Sequence, residues 1–179
     1  MKHYNTIASL YTQQYCNEQM RKYVVAFETV ELRKTECLLD VGCGTGLFIN
    51  EIAQMVKEII GIDISRRMLE IAKRTCKNLS NVNLICADAD YMPVQKKIVD
   101  KIVSFTLLQH MPKMDYTHKE FLRIAKDDAI IILTFTKKTF DLEDVKKLLN
   151  KLPLTIIQLI NYDDLKDYLA ISTLRGNFT

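Results

Sequence analysis

The most constraining feature of the chain is the segment 38–48, which reads LLDVGCGTGLF. An apolar run leads into three closely spaced glycines, and a helical pattern with Ile49, Ile52 and Val56 follows them. Glycine lets a ligand approach the main chain closely, and the unpaired N–H groups at the start of a helix favour an anionic group. The segment predicts a strand, a ligand-binding turn and a helix, with a tight turn that binds no ligand as the alternative.

Seven short apolar runs along the chain indicate an α/β protein. Most are continuously apolar, as expected for strands that helices cover on both faces. Strands and helical patterns alternate five times, which predicts a doubly wound, mostly parallel seven-stranded sheet with helices on both faces. Only a short polar segment separates the last two runs, so the last strand should be antiparallel. The runs are 37–41, 58–62, 82–87, 101–107, 129–135, 154–160 and 168–173.

The length of 179 residues fits a single domain, with an amino-terminal helical lid over residues 1–33 and a core over 34–179. The predicted apolar face of the lid contains Met20, Tyr23, Val24 and Phe27. No run reaches the roughly 18 apolar residues of a membrane span, and the first residues lack the apolar core of a secretory signal. We therefore expect a cytoplasmic protein without membrane contact. The cysteines and histidines lack the spacing of a zinc site, so no metal is expected.

Two acids follow the glycine turn at positions that suit a nucleoside ligand. Asp63 ends the second run about twenty residues beyond the turn, where a carboxylate accepts hydrogen bonds from ribose hydroxyls. Asp88 follows the third run. The carboxyl ends of neighbouring parallel strands form the ligand crevice of an open sheet. The glycines read G-C-G-T-G, whereas dinucleotide-binding turns are spaced G-x-G-x-x-G, which disfavours a nicotinamide-dependent oxidoreductase.

Four motifs in order resemble the class I (Rossmann-like) S-adenosylmethionine-dependent methyltransferase family. Asp40 with GCGTG resembles its first motif, and IIGIDISRRMLEIAK its second-strand motif. ICADADYMPV is similar to its adenine-contacting motif, and DKIVSFTLLQHM to its fourth strand. The opening HYNTIASLYTQQY resembles methyltransferases that act on quinone precursors and other small molecules. The resemblance implies S-adenosyl-L-methionine as cofactor, and a small-molecule acceptor slightly ahead of tRNA or protein.

The resemblance also implies a role for each matching residue. The glycine turn would pack against the methionine moiety, Asp40 would support the turn and the amino group, and Asp63 would hold the ribose. Ile64 and Ala89 would enclose the adenine, whose amino group Asp88 would bind. The implied cofactor-binding residues are Tyr11, Asp40, Gly42, Cys43, Gly44, Gly46, Asp63, Ile64, Asp88, Ala89, Phe105 and Thr106.

Methyl transfer needs little from the protein beyond alignment, because the cofactor carries the activation; alignment is worth about 7–11 kcal/mol. His110 follows the fourth strand and could take a proton near neutral pH, and a histidine packed in a loop is an equally open interpretation.

No inserted domain follows the fifth strand, so the site could be open to a small molecule, RNA or protein, or be completed by a protein partner. Lys137 and Lys138 lie near this mouth and could favour an anionic acceptor. The alternative function is a non-catalytic cofactor-binding subunit that activates a partner methyltransferase.

Overall fold

The computed structural model describes residues 18–108, 111 and 115–174, and a seven-stranded sheet lies at its centre. The strands are β1 (Cys37–Val41), β2 (Glu58–Asp63), β3 (Val82–Cys86), β4 (Val99–Ser104), β5 (Ala125–Thr136), β6 (Leu154–Ile160) and β7 (Asp167–Leu174). The helices are α1 (helical over residues 18–29), α2 (Leu47–Ile52) with a 3-10 turn (Ala53–Met55), α3 (Arg66–Thr75), α4 (Asp115–Ile124) and α5 (Leu142–Lys151).

The strand order is β3-β2-β1-β4-β5-β7-β6, and only β7 runs against its neighbours. The predicted α/β sheet with an antiparallel last strand is therefore confirmed. From β1 the chain builds outward to β2 and β3, and it then returns to place β4 on the other side of β1. This reversal opens a crevice beyond the carboxyl ends of β1 and β4, which is where ligands bind in open α/β sheets.

Helices cover both faces of the sheet, because alternate strand residues point to opposite sides. Leu38 and Val103 pack in the cluster with the buried residues of α1, α2 and α3, whereas Leu39 and Ile102 pack with those of α4 and α5. Asp141 caps the start of α5, since its side chain accepts a hydrogen bond from the backbone N–H of residue 144. No helix in the described ranges is both long and apolar enough to span a bilayer.

The predicted alternation of strands and helices is wrong at one connection, because residues 87–98 join β3 to β4 without a helix. Met92 and Val94 are buried in the core from this segment. Polar side chains of α4 bind its backbone: Glu120 accepts from the N–H of Met92, and Arg123 donates to the carbonyls of Met92 and Val94 at 2.7–2.8 Å. These contacts replace the internal hydrogen bonds of a helix.

The predicted apolar face of α1 is also partly wrong. Val24 is 48% exposed, whereas Val25 and Ala26 are buried. The buried surface of the helix includes the polar residues Gln19 and Lys22. The apolar pattern of this helix missed them, because long polar side chains are rarely buried unless they are paired.

Candidate active site

The glycine turn between β1 and α2 is tied to the end of β2. The backbone N–H groups of Gly42 and Cys43 both donate to the carbonyl of Ile62, at 2.8 and 3.0 Å. Gly42, Gly44 and Gly46 have φ angles of 80°, 56° and 74°, in the left-handed region that favours glycine. The turn is therefore a fixed loop at the carboxyl ends of β1 and β2.

The three glycines face different surroundings. A Cβ atom on Gly42 would lie 3.2 Å from the side chain of Leu107, and one on Gly46 would lie 3.1 Å from Ala72 and from the thiol of Cys76. A Cβ atom on Gly44 would meet no atom within 4 Å. Only Gly44 therefore borders open space, while its two neighbours allow close packing against the β4 end and α3.

Asp63, at the end of β2, spans the turn and the start of α3. One carboxylate oxygen accepts from the N–H of Gly44 at 2.9 Å, and the other accepts from the N–H of Ser65 at 2.8 Å. Burial raises the pKa of Asp63, and these two hydrogen bonds oppose the shift. A carboxylate has about four acceptor sites, so each oxygen can still accept one hydroxyl hydrogen.

Asp40 is the buried acid below the turn, with 3% of its surface exposed. Burial raises its pKa to about 8, and the charge of Asp63 adds to the shift. Within the described part of the chain, its carboxyl accepts no hydrogen bond and forms no ion pair. A buried carboxyl of this kind is costly unless a partner compensates it, so the arrangement suits a ligand with a donor or cationic group.

Cys43, between Gly42 and Gly44 in the turn, has its thiol in the hydrophobic core. Burial, followed by the charge of Asp40, raises the pKa of this thiol well above its usual range. The side chain is therefore a packing group, and the backbone is the part of Cys43 that borders the turn.

On the far side of Asp63, the β3 end supplies a second polar group beside apolar surface. Asp88 is exposed, and one of its oxygens accepts from the N–H of Asp90 at 3.0 Å. Ile64 is 48% exposed and Ala89 is half-buried. An exposed apolar side chain and a carboxylate with acceptor capacity suit a flat heterocycle with an amino group.

The end of β4 is the third wall of the crevice. Phe105 is buried, in an aromatic cluster with Tyr23 and Phe48 at ring-centroid distances of 5.0 and 5.2 Å. Thr106 has a φ of 59°, which is a genuine outlier for a β-branched residue. Such strain costs about 1–3 kcal/mol and persists only where surrounding contacts impose it.

Polar groups from distant parts of the chain impose the conformation of Thr106. Its N–H donates to the hydroxyl of Thr134 at 2.8 Å, and its Oγ1 accepts from Gln19 at 3.2 Å and from Lys22 at 3.1 Å. Lys22 also forms an ion pair with the buried Asp167 of β7. Sequence reasoning missed these partners; the spacing of Glu18 and Lys22 by four residues was the only signal, and it marks a helix pair rather than a buried one.

Two predicted site residues, Tyr11 and His110, lie outside the described residues, so their roles stay predictions. Lys137 donates to the carbonyl of Tyr162 at 2.7 Å and lies over the ring of Tyr168. Among the residues that the structure describes, no group of His, Cys, Asp and Glu side chains has the arrangement of a metal site.

The residues present fit a nucleoside that carries an amino-acid chain. Asp63 offers acceptors for two hydroxyls, and Asp88 and Ile64 border a place for a base. Gly44 borders open space for a chain, and the buried carboxyl of Asp40, which has no partner among the described residues, suits its cationic group. These features surround one crevice at the switch point of the sheet.

Comparison with known proteins shows which family this chain resembles. The methyltransferase domain family matches residues 38–128. An uncharacterized protein of Methanocaldococcus jannaschii is 33% identical over 135 residues, which cover 74% of this chain and 50% of that protein. The demethylmenaquinone methyltransferase of Staphylococcus saprophyticus is 32% identical over 56% of this chain and 44% of its own length. The chain spans about half the length of these curated relatives.

A solved structure shares the fold over almost the whole chain. It is a complex between the Trm112 methyltransferase activator of Haloferax volcanii and a protein described as a methyltransferase. The TM-score is 0.80 at 12% identity, and the match covers 97% of this chain and 98% of that chain. At this identity the likeness shows the fold alone.

Proposed function

The chain belongs to the methyltransferase domain family, and we propose that it is an S-adenosylmethionine-dependent methyltransferase that acts on a small-molecule acceptor. One observation carries the proposal: Gly44 borders open space and its N–H binds Asp63, an acid close enough to the buried Asp40 to help raise its pKa. A turn that needed glycine only for packing would have filled this space, as the turn does at Gly42 and Gly46.

Each acid has a distinct task in this proposal. Asp63 holds the ribose through the acceptor sites that the Gly44 and Ser65 amides leave free. Asp40 attracts the positively charged amino group of the methionine end, and that positive charge stabilises the ionised form of the Asp40 carboxyl. Asp88 binds the adenine amino group, with Ile64 against the ring. When bound, the cofactor supplies a methyl group on a sulfonium, which an acceptor takes by in-line displacement.

The protein's own contribution to the reaction is position. The glycine turn and the end of β4 would hold the methionine end and keep it in place for the transfer. Alignment of this kind accounts for about 7–11 kcal/mol of a barrier. His110 follows β4 in the sequence and is the proposed base when the acceptor arrives protonated.

The small-molecule acceptor is supported by the relative from Staphylococcus saprophyticus, whose name specifies demethylmenaquinone, and by the amino-terminal resemblance to methyltransferases of quinone precursors. Lys137 is engaged by Tyr162 and Tyr168, which weakens the argument for an RNA acceptor. A protein partner remains part of the proposal, because the Haloferax neighbour was solved with an activator. The alternative of a non-catalytic activating subunit finds no support among these relatives.

Calorimetric titration with S-adenosylmethionine and S-adenosylhomocysteine tests the cofactor site. We expect both to bind the purified protein, and Asp63→Asn and Gly44→Val to abolish or strongly weaken binding. Asp127→Asn is the matched control, because this carboxyl is 94% exposed and lies at the start of β5, away from the crevice. Normal binding by both site variants would refute the site.

Release of S-adenosylhomocysteine then tests the acceptor. The protein is incubated with S-adenosylmethionine and either a panel of phenols and quinols or total tRNA. Turnover with phenols or quinols alone supports the small-molecule assignment, and turnover with tRNA alone would contradict it. Turnover that begins only when a co-purified protein is added would identify a partner-dependent enzyme.

A further inference from the structure

We propose that Lys22 is a positioning residue that acts through Thr106 to shape the part of the crevice that receives the methionine end of the cofactor. The inference rests on the proposed function and deepens it. It concerns α1, an element that carries none of the groups that hold the nucleoside.

Lys22 is a fully engaged buried cation, with 1% of its surface exposed. Its ammonium group has three hydrogens to donate. One hydrogen bond goes to Thr106 Oγ1 at 3.1 Å, and the ammonium group forms ion pairs with Glu18 Oε1 at 3.2 Å and with the carboxylate of Asp167. Because the side chain is almost wholly buried, the amine does not contact a ligand in the crevice itself and can act only through a neighbour.

The groups that pair with Lys22 are themselves buried or paired. Asp167 is 2% exposed, and Glu18 also pairs with Lys166 at 2.5 Å. Burial raises the pKa of Glu18, and Lys166 and Lys22 outweigh it, so that the pKa lies below its usual value. A buried ion pair is weak evidence for stability, since an apolar replacement often serves as well. The hydrogen bond to Thr106 gives the pair a task that an apolar replacement would lack.

Thr106 connects this ion pair to the glycine turn. Lys22 and Gln19 hold its hydroxyl while its N–H is bound to Thr134, which together keep the backbone in the left-handed region. The next residue, Leu107, lies against Gly42, with side-chain atoms 3.2–3.4 Å from the place of a Cβ. A relaxed Thr106 would therefore move Leu107 against the turn at the methionine end, and leave Asp63 and Asp88 in place.

Two ligands separate this role from general stabilisation. S-adenosylhomocysteine has the whole amino-acid chain, whereas 5′-methylthioadenosine has the same nucleoside and lacks that chain. We expect Lys22→Met to weaken S-adenosylhomocysteine about tenfold, because the Lys22–Thr106 hydrogen bond, whose strength is of that order, no longer holds Thr106 and Leu107 in the conformation that the ligand fits. Its affinity for 5′-methylthioadenosine should change less than about twofold. Arg21→Met is the matched control. Arg21 lies on the same helix as Lys22, and its replacement removes an exposed ion pair with Asp164, so neither affinity should change.

A second variant covers the case in which Lys22→Met leaves Asp167 unpaired and fails to fold. Thr106→Val keeps the ion pair and removes only the hydroxyl, and it should give the same selective loss. In the double variant the losses should be less than additive, because both changes remove the Lys22–Thr106 hydrogen bond. Equal weakening of the two ligands, or of neither, by the folded variants would overturn the inference. Failure of the wild-type protein to bind either ligand would instead overturn the proposed function.

Discussion

Replacing Gly44 with alanine should separate ligand binding from folding. The residue has a φ of 56°, and an L-residue in the left-handed region costs roughly 1–2 kcal/mol. A Cβ at this position meets no atom within 4 Å, so packing adds nothing to that cost. We expect Gly44→Ala to lower the free energy of unfolding by about 1–2 kcal/mol.

Gly46→Ala is the matched comparison in the same turn. Its φ of 74° gives a similar backbone cost, but its Cβ would lie 3.1 Å from both Ala72 Cβ and Cys76 Sγ. Overpacking of this kind costs typically about 1–3 kcal/mol. The total destabilisation should therefore be about 2–5 kcal/mol, the sum of the backbone and packing costs.

For ligand binding, Gly44→Ala should have the larger effect of the two variants. The added methyl group at Gly44 occupies the space proposed for the methionine end, and we expect S-adenosylhomocysteine to bind at least about tenfold more weakly, a loss of about 1.4 kcal/mol. Urea unfolding followed by circular dichroism measures stability, since the chain has no tryptophan, and calorimetry measures affinity. Wild-type affinity in Gly44→Ala, or equal destabilisation by the two variants, would refute the assignment of the open space.

Three further predictions follow from the acids and from the opposite end of the sheet. The folded chain keeps on Asp40, whose pKa is about 8, a proton that the unfolded chain releases near 3.8; stability should fall as pH rises between these values. Asp40→Asn should flatten this dependence in thermal unfolding, and an unchanged profile would contradict it. Asp63→Asn should weaken S-adenosylhomocysteine and 5′-methylthioadenosine alike, since both carry the ribose; calorimetry that finds a selective loss would argue against ribose binding. Lys101→Met breaks a buried pair with Glu36 at 2.5 Å and should cost about 3–5 kcal/mol in urea unfolding, with affinity unchanged in the remaining folded protein.

Local patterns predict the sheet well because each strand is a short apolar run. The antiparallel β7 also follows from a local fact, namely the short connection before it. The connection between β3 and β4 does not. Its backbone is held by Glu120 and Arg123 of a helix later in the chain, and its own sequence does not reveal these contacts.

The same distinction divides the candidate site. The nucleoside side is built from contacts close in sequence: Asp63 binds amides 19 and 2 residues away, and its strand-end position alone predicts it. The β4 side is built from contacts across the chain, with Thr106 bound by residues 87 and 84 positions earlier. A threonine has no intrinsic preference for a left-handed backbone, and a lysine has none for burial. Each is held by contacts with distant segments, including the one between them. Neither could therefore be identified from its own segment, and a change at either should first affect the methionine end.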